Sequence, residues 1–84
     1  MSVEVRMMGA AGCHLCDEAY HVLVKAREEL GFELVQVDIS GDPALEAEYR
    51  EQIPVVFVAG RKAFKFRVDA DELRRRVAVA TSAS

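Results

Sequence analysis

Val3-Glu4-Val5-Arg6-Met7-Met8-Gly9-Ala10-Ala11-Gly12-Cys13-His14-Leu15-Cys16 contains both cysteines of an 84-residue chain, and its reading decides the fold. Val3, Val5 and Met7 alternate with Glu4 and Arg6, the period of a strand that ends near Met8. Gly9-Ala10-Ala11-Gly12 then breaks the pattern. From Cys13 to about Leu30 the apolar residues Leu15, Ala19, Val22, Leu23, Ala26 and Leu30 recur at helical spacing. Asp17, Glu18, Lys25, Arg27 and Glu28 fill the other face, and Gly31 supplies the stop. Both thiols therefore fall at a helix start, three residues apart on one face and close enough to form a disulfide. Unsatisfied backbone N–H groups and the positive end of the helix dipole favour a thiolate there.

Working outward, Leu34-Val35-Gln36-Val37 reads as a second short strand. Ser40-Gly41-Asp42-Pro43 is a turn that offers Asp42 as N-cap and Pro43 as the first residue of a helix to about Glu51. Ile53-Pro54-Val55-Val56-Phe57-Val58 is the most apolar run and suits a strand buried on both faces, with Pro54 at its opening. After an Ala59-Gly60-Arg61-Lys62 turn, Phe64, Phe66 and Val68 alternate with Lys65 and Arg67, the pattern of an edge strand with one wet face. Asp69 to Glu72 resembles a capping box, and a Val68–Leu73 staple opens a last helix through about Ala80. Thr81-Ser82-Ala83-Ser84 is expected to fray. The order is β-α-β-α-β-β-α, so an α/β layered domain over residues 1–80 with a flexible tail at 81–84 is expected.

Composition narrows the function classes. The length allows one small core and no separate substrate domain. No apolar run approaches the roughly 20 residues needed to span a bilayer. The start lacks a basic segment followed by an apolar one, which makes a reducing cytoplasm the expected compartment. Two cysteines in such a compartment point to catalysis or redox sensing rather than a structural staple. Residues 1–42 carry eight acids and three bases, whereas residues 43–84 carry six acids and eight bases. The bases gather at Arg61, Lys62, Lys65 and Arg67 and at Arg74 to Arg76, where they suit a protected sheet edge and the later part of a helix. No aromatic residue interleaves with the Arg74–Arg76 run, which speaks against nucleic acid as a partner.

The element order, the Cys-x-x-Cys after the first strand and the proline opening the third strand together resemble the glutaredoxin branch of the thioredoxin fold. More narrowly, Gly12-Cys13-His14-Leu15-Cys16-Asp17 followed by Ile53-Pro54-Val55 is similar to a group of small bacterial glutaredoxin-like proteins. The resemblance implies a four-stranded mixed sheet flanked by helices, Cys13 as attacking thiol, Cys16 as resolving thiol and a cis Pro54 beside them. The sequence departs from the family pattern in three places. His14-Leu15 replaces the Pro-Tyr of dithiol glutaredoxins, and no tryptophan precedes Cys13. Phe66-Arg67-Val68-Asp69-Ala70 lacks the Gly-Gly pair that holds the γ-glutamyl carboxylate of glutathione.

The expected chemistry is thiol–disulfide exchange on a protein or small-molecule disulfide, by a monomer with no bound cofactor or metal. Protonated His14 would favour the Cys13 thiolate, while Asp17 and Glu18 oppose it. Extended backbone at Ile53, next to Pro54, offers hydrogen bonds to a substrate strand. Without the Gly-Gly pair, glutathione is expected to be a weak co-substrate, with Arg67 and the backbone at Asp69 as substitute anion contacts. The recycling reductant and the substrate are left open. Two other classes stand beside this reading: a thioredoxin-fold binding or redox-sensing module without turnover, and a metal protein. The latter would use Cys13, Cys16 and His14 or His21 for zinc, or share an iron–sulfur cluster between two copies.

Overall fold

The computed structural model describes residues 2–83. Its elements are β1 (Glu4–Gly9), α1 (His14–Leu30), β2 (Glu33–Asp38), α2 (Pro43–Tyr49), β3 (Val55–Val58), β4 (Arg61–Lys65) and α3 (Ala70–Ala83). The four strands form one mixed sheet in the order β2-β1-β3-β4. β1 runs parallel to β2, from Glu4 opposite Glu33 to Gly9 opposite Asp38. It runs antiparallel to β3, with Met8 opposite Val55. The β-α-β-α-β-β-α order is the one read from the residues, and the four-stranded mixed sheet is the one the family resemblance implies.

Alternation along the central strands divides the core between the two faces. Val5, Met7, Val56 and Val58 meet Cys16, Ala19 and Leu23 of α1 and Leu73 and Val77 of α3. Met8 and Val55 point the other way, into a smaller cluster with Ile39, Leu45, Tyr49 and Phe57. α1 and α3 thus cover one face and α2 the other, which is why β3 is buried on both sides, as its apolar run predicts. Arg74 of α3 reaches Glu29 of α1 at 2.6 Å across the exposed rim. That guanidinium holds the Glu29 carboxyl below the usual carboxylate range by hydrogen bond and charge.

Local signals set most helix ends. Asp42 accepts hydrogen bonds from Ala44 and Leu45 N–H, with Pro43 at the helix start. Gly31 closes α1 in the left-handed region, its N–H donated to the Arg27 carbonyl. Asp69 accepts from Asp71 N–H at 3.2 Å and so caps α3. The reciprocal half of a capping box is replaced, because Glu72 turns along its own helix to Arg75 and Arg76. α3 continues to Ala83, three residues beyond the expected end, and Ser84 lies outside the described residues. α2 stops at Tyr49, whose carbonyl accepts both Gln52 and Ile53 N–H.

The last strand differs from its sequence reading. It covers Arg61–Lys65, not the Phe64–Val68 alternation, and the turn before it is only Ala59-Gly60. Both turn residues have positive φ, 52° and 81°, matching the handedness of a two-residue hairpin. A bulge then leaves Ala63 between the Phe57–Lys62 and Val56–Phe64 pairs and shifts the alternation by one. The strand ends at Lys65 because Phe66 takes φ 71° and Arg67 N–H returns to the Lys65 carbonyl at 2.9 Å, a three-residue turn. Phe66 is consequently 41% exposed instead of buried, while β4 remains an edge strand as expected.

Candidate active site

Strand β1 ends at Gly9, and the next three residues lead the chain over the sheet end to Cys13, whose N–H donates to the Ala10 carbonyl. Cys13 has extended backbone, φ −89° and ψ 110°, and stands just outside α1 as its N-cap rather than within the helix. Its Sγ accepts the Cys16 N–H at 3.2 Å, the role that a serine or aspartate oxygen fills at other helix starts. Cys13 and Cys16 are joined as a disulfide with Cα atoms 5.2 Å apart. Burial separates the two sulfurs' surroundings: Cys16 is only 3% exposed and belongs to the core, whereas Cys13 is partly open at its edge.

The Met8–Val55 pair brings Pro54 to the same end of the sheet as the residues that follow β1. The Ile53–Pro54 bond is cis, Pro54 is buried, and its carbonyl accepts Phe66 N–H at 2.8 Å. Ile53 packs on the same cluster as Cys13. Its N–H, however, is donated to the Tyr49 carbonyl at 3.1 Å. That N–H is therefore already paired within the chain.

Other sequence candidates lie at different distances from this centre. His14 and His21 are both exposed on α1, as are Asp17 and Glu18. Arg67 is exposed and lines a groove of about 160 Å³ with Leu15, Glu18, Val22, Phe66 and Val68. Asp69 is spent on the Asp71 N–H, so its carboxylate already faces the helix start that an anionic ligand would use. Among the described residues, no group of three or more His, Cys, Asp and Glu side chains gathers where a metal ion would sit. None of the helices among them is long and apolar enough to cross a membrane.

A cavity of about 330 Å³ opens beside Cys16, lined by Met7, Gly9, Ala10, Asp17, Gln36 and Asp38 among others. Hydrogen bonds from Ser40 hold the Asp38 carboxyl below its usual range and so keep it ionised. Gln36 and Asp38 have no signature as site residues in the sequence, because only the parallel β1–β2 pairing brings them beside Cys16. Gly9 has none because only the packing of α1 over β1 brings it to that sulfur. A further cleft, about 700 Å³, lies by the β3–β4 turn and α3, between Val58, Arg61, Arg75, Arg76 and Val79, and shares no residue with the dithiol.

Comparison with known proteins agrees with this geometry. The profile described as Glutaredoxin-like domain (DUF836) matches residues 4–78. An uncharacterized protein of Mycobacterium tuberculosis, Rv0508, is 33% identical over 86 residues, covering 96% of this chain and 89% of that protein. The X-ray structure of XcR50 from X. campestris is 31% identical, with a TM-score of 0.71 over 95% of this chain and 97% of the other. A chloroplastic thioredoxin z shares the fold, with a TM-score of 0.77 at 19% identity over 96% of this chain and 80% of that one. Matched from its first strand to its last helix around one Cys-x-x-Cys, the chain belongs to the glutaredoxin-like domain family, on a thioredoxin fold.

Proposed function

We propose that the protein is a thiol–disulfide oxidoreductase that reduces disulfides with the Cys13/Cys16 couple. The observation that carries this reading is the Cys13 sulfur at the α1 N-cap, bonded to the Cys16 N–H and partly open to solvent. A thiolate in that position keeps the hydrogen bond and gains from the helix dipole. It attacks one sulfur of the substrate disulfide, and the other substrate sulfur leaves as a thiolate that takes up a proton. Cys16 then attacks Cys13 in the mixed disulfide, forming the Cys13–Cys16 bond and releasing the second substrate thiol.

Unequal surroundings support this division of roles. Two carboxylates, Asp17 and Asp38, line the cavity beside Cys16 and disfavour negative charge on its sulfur, whereas the Cys13 sulfur faces a donor. The buried sulfur is thereby suited to wait as a thiol and the open one to attack. Ile53 and Pro54 border the approach, and the Ile53 carbonyl is the group offered to a substrate backbone. Glutathione is a weak co-substrate in this reading. The Arg67 N–H is turned to the Lys65 carbonyl and the Asp71 N–H to Asp69, where a carboxylate ligand would need free donors. The compartment that suits this chemistry is the cytoplasm.

A steady-state assay of disulfide reduction, recycled in separate arms by glutathione with its reductase and by thioredoxin reductase, tests the proposal. Turnover lost in Cys13→Ser supports it. Turnover equal in wild type and Cys13→Ser, or none with any reductant including dithiothreitol, sinks it in favour of a binding module.

A further inference from the structure

Gly9 is buried at the end of β1, opposite Asp38, and its φ is not among the positive values found at the other four glycines. The backbone therefore does not require glycine at this position. Side-chain space favours it. A Cβ placed on Gly9 would stand 3.2 Å from Cys16 Sγ, 3.4 Å from Cys16 Cβ and 3.4 Å from Met7 Cε. The tightest of these contacts is with a reacting atom.

We infer that Gly9 is a positioning residue for the resolving sulfur: its missing side chain leaves the space in which Cys16 Sγ must stand to bond Cys13. The inference rests on the exchange reading above and deepens it. In the disulfide the sulfur is tethered to Cys13 and cannot yield the few tenths of an ångström that a methyl group would demand. In the dithiol that tether is gone, so the sulfur can take another χ1 rotamer, and the cavity bounded by Gly9, Gln36 and Asp38 lies beside it. A side chain at position 9 thus burdens the oxidised state and the attack that leads to it, and spares the reduced state. In that attack Cys16 loses its proton, the Cys16–Cys13 bond forms, the Cys13–substrate bond breaks and the substrate sulfur leaves to take up a proton.

Equilibration of Gly9→Ala with dithiothreitol and its cyclic disulfide, read by alkylation and intact mass, tests the inference without requiring turnover. The constant should move about three- to tenfold toward the protein dithiol, which is about 15–30 mV more positive. In single turnover with a disulfide peptide, Gly9→Ala should form the Cys13 mixed disulfide at the wild-type rate and resolve it more slowly. Met7→Leu in the same background withdraws the flexible Met7 terminus, and the shift should persist. Should Gly9→Ala not fold, Gly9→Ala in a Cys16→Ala background should fold as well as Cys16→Ala alone, since the sulfur is gone. An unchanged exchange constant, a shift abolished by Met7→Leu, or unfolding even without the sulfur would overturn the inference. A shifted constant in a protein without turnover would leave it standing and remove the exchange function instead.

Discussion

The sulfur of Cys13 accepts the backbone N–H of Cys16 at 3.2 Å, so one nucleophile candidate is also the cap of the helix that holds the other. Stability and chemistry meet in this contact. A cap residue satisfies one orphan donor at the start of a helix, and a charged acceptor does so more strongly than a neutral one. Deprotonation of Cys13 in the dithiol state is therefore coupled to the stability of α1.

From this coupling, Cys13 should alkylate as a thiolate with a midpoint below the unperturbed value of about 8.5. His14→Ala should raise that midpoint if the exposed imidazole adds to the effect of the helix start. The rate of iodoacetamide modification in the Cys16→Ser background, followed against pH, reads it directly. A midpoint at or above the unperturbed value would remove the helix start from the mechanism.

Unequal burial of the two sulfurs gives a trapping experiment. Cys16→Ser should accumulate a mixed disulfide between Cys13 and a substrate peptide, visible by mass and reversed by dithiothreitol. Cys13→Ser should accumulate little, because Cys16 is only 3% exposed. Equal trapping by both variants would reverse or erase the assignment of roles.

The Glu29–Arg74 bridge ties α1 to α3 and gives the fold a pH dependence. Because the folded-state pKa of Glu29 is lowered, its contribution is present above the unfolded-state value near 4.5 and is lost as pH falls through the depressed folded value. Glu29→Gln should therefore lower the thermal midpoint slightly at pH 7 and not at all in acid well below that range, with the difference shrinking at high salt. Equal destabilisation at both pH values would place the effect in packing instead of charge.

Core packing carries far more. Leu73 is fully buried between α3 and the sheet, in the cluster that also holds Cys16. Leu73→Ala should cost about 2–5 kcal/mol in urea unfolding of the oxidised protein. A loss below about 1 kcal/mol would mean that α3 is loosely docked.

Much of this architecture is written locally in the chain. Alternation gave β1, helical spacing gave α1, and Asp42-Pro43 and Gly31 set helix ends, because each depends on residues within one turn of one another. The dithiol was equally legible. Two things were not. β4 slips by several residues because the Ala63 bulge and the positive φ of Phe66 are imposed by pairing with β3 and by the Phe66 N–H bond to the Pro54 carbonyl, neither of which has a signature in Lys62-Ala63-Phe64-Lys65-Phe66. The surroundings of Cys16 were hidden for a related reason. Gly9 reads as a strand breaker in sequence, and only the packing of α1 over β1 brings its bare Cα to the sulfur.

The central claim, that Cys13 and Cys16 act as one two-electron exchange couple, is tested most directly by mixing reduced protein with one equivalent of a disulfide-bonded peptide, quenching in acid, alkylating and weighing both partners. The expected result is a protein that loses two alkylatable thiols as the peptide gains two, through a transient mixed disulfide located at Cys13. A protein that keeps both thiols while the peptide stays oxidised would contradict it.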